Sequence, residues 1–118
     1  MTAGENIANF SVVCIYIDGR AHLADADSSA YMPAIAMNTT GGTISSGAQG
    51  DFLIFGIVRN TAWAFTIGKP IYVDPATDGV ISSTMPTTAS ECVQVVGYAI
   101  SPDSFVFNPS PDFVVLKA

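Results

Sequence analysis

The chain has 118 residues, 49% of them apolar and only 12% charged, with a formal charge of −6 from ten acids against four bases. That length supports one domain with a real core, because two independent cores would each be too small. The bases Arg20, Arg59, Lys69 and Lys117 are scattered, so there is no basic patch for nucleic acid or an anionic membrane surface. A freely diffusing domain carries charge on about a quarter of its residues; this shortfall implies that some surface is covered by a partner or by further copies of the chain.

The first ten residues, M-T-A-G-E-N-I-A-N-F, lack the basic start and apolar stretch of a secretory signal. They read as an N-terminal arm, residues 1–10, that orders on contact through Ile7 and Phe10, ahead of a single β domain over residues 11–118. Beyond the arm, no window repeats apolar residues at helical spacing without a Gly, Pro or Ser/Thr break. Short β-branched and aromatic runs recur instead, separated by turn residues. The expected strands are 10–17, 20–23, 32–37, 51–58, 62–66, 70–73, 80–82, 92–100, 104–107 and 113–116. This predicts an all-β fold: a compact sandwich or barrel of about ten short strands with little or no helix.

The punctuation between these runs fits. Asp18-Gly19 predicts a two-residue hairpin turn, and Ser101-Pro102-Asp103 a tight turn with Pro102 presetting φ. Residues 52–58, F-L-I-F-G-I-V, would be an aggregation-prone edge if bare, so this strand is expected to be central or covered by a neighbouring subunit. It is also the longest apolar run, far short of the roughly twenty residues of a membrane-spanning helix. Pro109 and Pro111 cannot donate to a ladder, which puts the strand beginning at Phe113 at an edge or against another chain.

The sequence says one thing twice. I-Y-I-D at 15–18 and I-Y-V-D at 71–74 are each followed by a glycine, an apolar stretch and then A-I-A-M or G-Y-A-I. G-D-F-L-I-F-G at 50–56 likewise parallels P-D-S-F-V-F-N at 102–108. Two similar β-meanders, over about 11–58 and 68–116, account for this; chance reuse of few residue types is the competing account.

Residues for covalent chemistry are sparse. His22 is the only histidine, and the alternation of R-A-H-L makes it a half-solvated strand residue rather than a base or ligand. No nucleophile elbow, phosphate loop or zinc motif is present. Asp25 with Asp27, and Asp74 with Asp78, have spacings that sometimes hold a divalent ion, but neither pair offers the six or more oxygens a hard cation needs. Asp side chains capping their own turns are the simpler expectation. No catalytic residue, cofactor or metal site is expected. Cys14 and Cys92 sit in strand-like runs as two buried thiols, in preference to a disulfide or metal pair. Trp63 and Phe65 share one strand face, as a core aromatic pair or as anchors of a subunit interface.

The stretches W-A-F-T-I-G-K-P-I-Y-V-D-P-A-T-D-G-V-I-S-S-T-M-P from Trp63 and V-Q-V-V-G-Y-A-I-S-P-D-S-F-V-F-N-P-S-P-D-F-V-V-L from Val93 resemble a β module of tailed-bacteriophage virion proteins. The opening A-G-E-N-I-A-N-F-S-V-V-C-I-Y-I-D-G-R-A-H-L-A-D-A is similar to the start of the same module. The chain thus resembles small capsid-decoration (cement) proteins, and also modules of phage head and tail fibres. The resemblance implies a non-enzymatic virion protein, a homotrimer that binds the major capsid protein on the outside of the head and bridges capsomers. It would be made in the host cytoplasm and contact neither nucleic acid nor membrane, with Ile7, Phe10, Trp63, Phe65 and Phe113 as interface residues. The fibre, tail or baseplate alternative implies receptor or glycan binding, with Trp63 and Tyr31 stacking on sugar rings. A chain that opens on its own methionine without a shaft favours decoration.

Overall fold

Antiparallel pairing of short, alternating runs organises the molecule, and the computed structural model describes residues 1–117. Ten strands form: β1 (Val12–Ile15), β2 (Ala21–Leu23), β3 (Ala36–Met37), β4 (Gly56–Arg59), β5 (Pro70–Val73), β6 (Ile81–Ser82), β7 (Cys92–Val93), β8 (Val95–Ser101), β9 (Ser104–Phe107) and β10 (Val114–Val115). The only helical element among the described residues is a 3₁₀ turn at Ser29–Tyr31. No helix is long and apolar enough to cross a membrane. The fold is all-β, as the recurrent short runs require.

The strands make a three-stranded sheet of order β2-β1-β3, a five-stranded sheet of order β4-β9-β8-β5-β6 and a two-stranded sheet of β10 and β7. In the first sheet, β1 pairs with the hairpin strand that follows it on one side and with a later strand on the other. In the second, β5 pairs in the same way with β6 and β8. The next segment also corresponds, since Leu53 bridges Met37 as β9 pairs with β8.

The doubled phrase nevertheless occupies two different settings. Ile71 and Val73 lie in β5 and face inward at 0% exposure, whereas Ile17 sits in the hairpin turn at 92%. A shift of one residue exchanges the faces of a strand. The correspondence therefore lies in strand order, and the two tetrapeptides are not equivalent residue for residue.

Both large sheets contribute to one core. Val12 and Met37 come from the first sheet; Val58, Ile71, Val73, Ile81, Val96, Ala99, Phe105 and Phe107 come from the second; Cys92 comes from β7. Fully burying one side chain of the Val, Leu or Phe kind contributes about 1.5–3 kcal/mol, so this layer is the main source of stability. Gly97 is required where β8 crosses β9, because a Cβ there would lie 1.9 Å from the Val106 carbonyl oxygen. A second, smaller core gathers Ala3, Ile7, Val13, Ala21, Ala36 and Ile44 on the other side of the three-stranded sheet.

Several expectations need correction. Residues 1–10 are not a free arm. The Ala3 amide donates to the Ala48 carbonyl and Gly4 to Ala21, and Ile7 exchanges both backbone bonds with Ile44. Ile7 is needed inside, since it fills the second core. Residues 62–66 are not a strand: the Asn60 side chain accepts from the Ala62 amide and the Trp63 amide bonds back to Asn60, so a local turn takes the donors a ladder would need. The single expected strand 92–100 divides at Gln94, whose side chain turns inward. It bonds both backbone groups of Ala34 and the Ser110 carbonyl. The Asp18-Gly19 turn is longer than two residues. Tyr16 pairs with Arg20 through its amide, Gly19 donates to the Tyr16 carbonyl, and Gly19 takes φ +75°, the geometry of a three-residue hairpin loop closed by a left-handed glycine.

Candidate functional site

The two large sheets differ on the faces turned away from the shared core. Over the three-stranded sheet, residues 2–7 and 44–53 close down and bury Val13, Ala21 and Ala36. Over the five-stranded sheet no segment is laid among the described residues. Alternation sends Val58, Phe105, Phe107, Ala99, Ile71 and Val73 inward, and the residues between them must face out. The register aligns these as a row across the sheet: Ile57 opposite Val106, Val106 opposite Tyr98, Tyr98 opposite Pro70. Ile57 is 69% exposed and Tyr98 55%, with Ile100 also exposed on β8.

Ile54 and Phe55, just before β4, and Ile67, just before β5, are exposed as well. Six large apolar side chains are thus exposed on and beside one sheet, and exposed apolar surface of this kind marks an interaction site when it is contiguous. Arg59 is the only charged residue within these five strands. Its Nε lies 3.1 Å from Asp103 Oδ2 in the β8–β9 turn. The Ser101 hydroxyl, and secondarily Arg59, hold the Asp103 carboxyl below the usual range. Arg59 follows Ile57 by two residues, so it is the one strand charge on this face, over which no other segment packs among the described residues.

A cleft opens beside it. About 310 Å³ in volume, it is lined by Phe10, Thr39, Leu53, Ile57, Val58 and Arg59. A larger open cleft of about 530 Å³ lies over the second core, lined by polar residues including Thr40, Thr43, Ser45, Gln49 and Asp51. It gathers no acid–base pair or nucleophile, so size alone does not make it a site.

The titratable groups cluster around His22. Its Nδ1 lies 3.2 Å from Glu5 Oε2 and its Nε2 2.9 Å from Asp18 Oδ2. The ring meets the edge of Tyr16, which stacks on Tyr31 with centroids 4.5 Å apart. The contact with His22, helped by the Arg20 amide, holds the Asp18 carboxyl below the usual range. Glu5 also accepts from the Leu23 amide. The arrangement pins the N-terminal segment and the hairpin turn to β2, and no hydroxyl or thiol is placed for the imidazole to activate.

Asp25 accepts from the Asp27 amide and Asp74 from the Ala76 amide, each two residues on, which is the turn-capping geometry expected of them. Burial, with Asp78 and Asp27 nearby, raises the Asp25 carboxyl. Among the described residues no group of three or more metal-binding side chains forms. Cys14 and Cys92 are separate buried thiols, and burial pushes Cys14 up to about 11.

The expected interface residues lie elsewhere than on the bare face. Ile7 is fully buried in the second core, and Phe65 is buried in the first. Phe10, Trp63 and Phe113 are partly buried against the first core. Trp63 meets Phe10, Phe65 and Phe105 at ring-centroid distances of 5.2, 5.1 and 5.3 Å, so its ring is used within the chain. The residues that do form a surface, Ile57, Tyr98, Ile100 and Val106, are signalled in the sequence only by alternation: they stay apolar at outward positions where a solvated face would be polar, while Arg59 on β4 and Ser104 on β9 share their side.

A scan against protein-family models, a search of curated proteins and a search of solved structures each find no match to this chain.

Proposed function

We propose that the protein is a structural subunit of a bacteriophage particle, a capsid-decoration protein that acts by docking and makes no covalent change to any molecule. The bare outer face of the five-stranded sheet carries this reading. A largely apolar sheet surface, with Arg59 as its one strand charge, that the chain leaves uncovered fits a partner surface of similar character, and the major capsid protein on the outside of the head is that partner. Repetition over a lattice converts many weak contacts of this kind into firm attachment. The resemblance of the strand and turn phrases to phage decoration modules supports the same reading. The fibre or baseplate alternative, with sugars stacking on Trp63 and Tyr31, has less support: Trp63 is packed inside, and one face of the Tyr31 ring lies on Tyr16.

The test is uptake by heads of the cognate phage prepared without the protein. Stoichiometric binding and a gain in heat or salt resistance are expected, and Tyr98→Asp in the middle of the face should abolish both while leaving the fold intact. Heads that take up neither protein, or take up both equally, would sink the proposal.

A further inference from the structure

The five-stranded sheet has two edges, β6 and β4. The β6 edge has only two residues, and the turn before it is held to the first sheet at Gly79: the Val12 amide donates to the Gly79 carbonyl, and the Gly79 amide donates to Ala24. In the first sheet, Ala3 bridges Ala21 beside β2, and Leu53 bridges Met37 beside β3. β4 pairs with β9 alone. It is the longest strand with an open side, and it carries neither proline nor lysine, the usual devices against edge pairing.

The direction of its open groups follows from the ladder. The Asn60 amide donates to the Asp103 carbonyl at 2.8 Å, one step beyond the Arg59–Ser104 pair. Hydrogen-bonded positions alternate along an antiparallel pair, so Gly56 and Val58 bond toward β9. The N–H and C=O groups of Ile57 and Arg59 therefore point away from it. Among the described residues, neither pair of groups has a backbone partner outside the sheet.

We infer that β4 is a self-pairing edge, and that its occupant is β4 of a second copy of this chain, antiparallel about a twofold axis. The register that engages every open group sets Ile57 of one copy opposite Arg59 of the other. Four backbone bonds form and the two arginines stay apart. The local charge is balanced by the Arg59–Asp103 pair, so two chains of net charge −6 approach through a neutral strip, with the rest screened beyond about 8 Å. The incoming strand also closes the mouth of the cleft beside Phe10 and Leu53, and it brings Ile54 and Phe55 out of water. A contact of four-residue strands buries less than about 1,200 Å² and falls in the weak, reversible class. An isologous pair is closed and grows no further; a ring of three copies would need a complementary second edge, and β6 offers only two residues beside a turn held to the first sheet. The inference rests on the docking reading for its purpose, but on the β4 edge alone for its geometry.

The test is the mass of the full chain by light scattering across a dilution series, with amide exchange at Ile57 and Arg59. Mass should rise toward two copies on concentration, and these two amides should gain protection in step. Ile57→Pro removes an outward N–H and keeps the β9 ladder; it should stay at one copy at every concentration. Tyr98→Asp, away from the edge, should still pair. A single-copy mass throughout, a three-copy mass, pairing that leaves both amides fast, or an Ile57→Pro protein that still pairs would each overturn the inference. Should Ile57→Pro fail to fold, the wild-type amides decide alone. Head binding by a strictly single-copy protein would remove the self-pairing and leave the docking reading standing; pairing without head binding would do the reverse.

Discussion

The two large sheets are built in the same order and share a core, yet one is covered on both faces and the other on one. Over β2-β1-β3 the chain lays its own first residues and the 44–53 loop, so Val13, Ala21 and Ala36 are fully buried. Over β4-β9-β8-β5-β6 it lays nothing, and Ile57, Tyr98 and Ile100 meet solvent. Each sheet is apolar on its outer side. What differs is whether the chain has a segment to spare, and the sheet without one is where a partner has something to gain, at about 25 cal/mol for each Å² of apolar surface removed from water.

If that contrast is right, the same kind of residue has opposite weight on the two outer faces. The largest effect is expected at Ile7, which is fully buried over the first sheet. Ile7→Ala should cost about 2–5 kcal/mol, the range for large-to-small changes in a core, read from the urea midpoint of the purified protein. An effect below about 0.5 kcal/mol, the range of ordinary surface changes, would mean that the N-terminal segment is a loose arm after all.

Gly4→Ala tests the same cover from a different side. A Cβ at Gly4 would lie 2.2 Å from His22 Nε2, so the ring must leave its place between Glu5 and Asp18. Overpacking of this kind costs about 1–3 kcal/mol. Restoring space with His22→Ala in the same chain should recover part of the loss, and two additive penalties would show that the ring and the segment do not press on each other.

Strand positions and fold class were largely legible because alternation and turn residues are local signals. The 70–73 and 104–107 runs became β5 and β9 at those same bounds. What was not legible depended on distant partners. Nothing near Ile7 announces that Ile44 will bond it from across the chain, and a small polar opening reads as an arm until that partner is known. Gln94 looked like one more residue of a long strand, yet its amide is satisfied at 1% exposure by Ala34 and Ser110.

For Trp63 and Phe65 the sequence leaves a core pair and an interface anchor open; Phe65 is buried and Trp63 packs partly against the same core, on a turn in place of the expected strand, because aromatic burial does not require a ladder. The bare face was half visible. The run 52–58 was expected to be central or covered, and it divides: Phe52 and Leu53 pack against the two cores, while 56–58 begin the edge strand β4. Ile57, Tyr98 and Val106 share a row only once the order of β4, β9 and β8 is known.

On the second sheet, Tyr98→Ser should change stability by no more than about 0.5 kcal/mol, as surface substitutions usually do. It occupies a central strand and loses a large apolar ring, so a cost like that of Ile7→Ala would show that this face is already packed against something in the isolated chain. The contrast between a silent melt for Tyr98→Ser and a collapsed one for Ile7→Ala is the direct measure of covered against bare.

The smallest expected effect separates the two acidic turns that border the first sheet. His22 and the Arg20 amide favour the ionised Asp18, so its folded value lies below its unfolded one. Its contribution is fully present above the ordinary aspartate value of about 4, and is lost as pH falls through the lowered folded value. Asp25 runs the other way: burial favours its neutral form, so its folded state takes up a proton more readily and gains relative stability as pH drops through the raised value. Asp18→Asn should therefore flatten the acid-side loss of stability, compared by urea midpoints at about pH 6 and about pH 3, either side of that ordinary value. Asp25→Asn, which keeps the oxygen that accepts from the Asp27 amide, should steepen it by removing the compensating uptake. Equal slopes for the two variants would mean that the His22 cluster holds the N-terminal cover in place by shape alone, with no share of the charge.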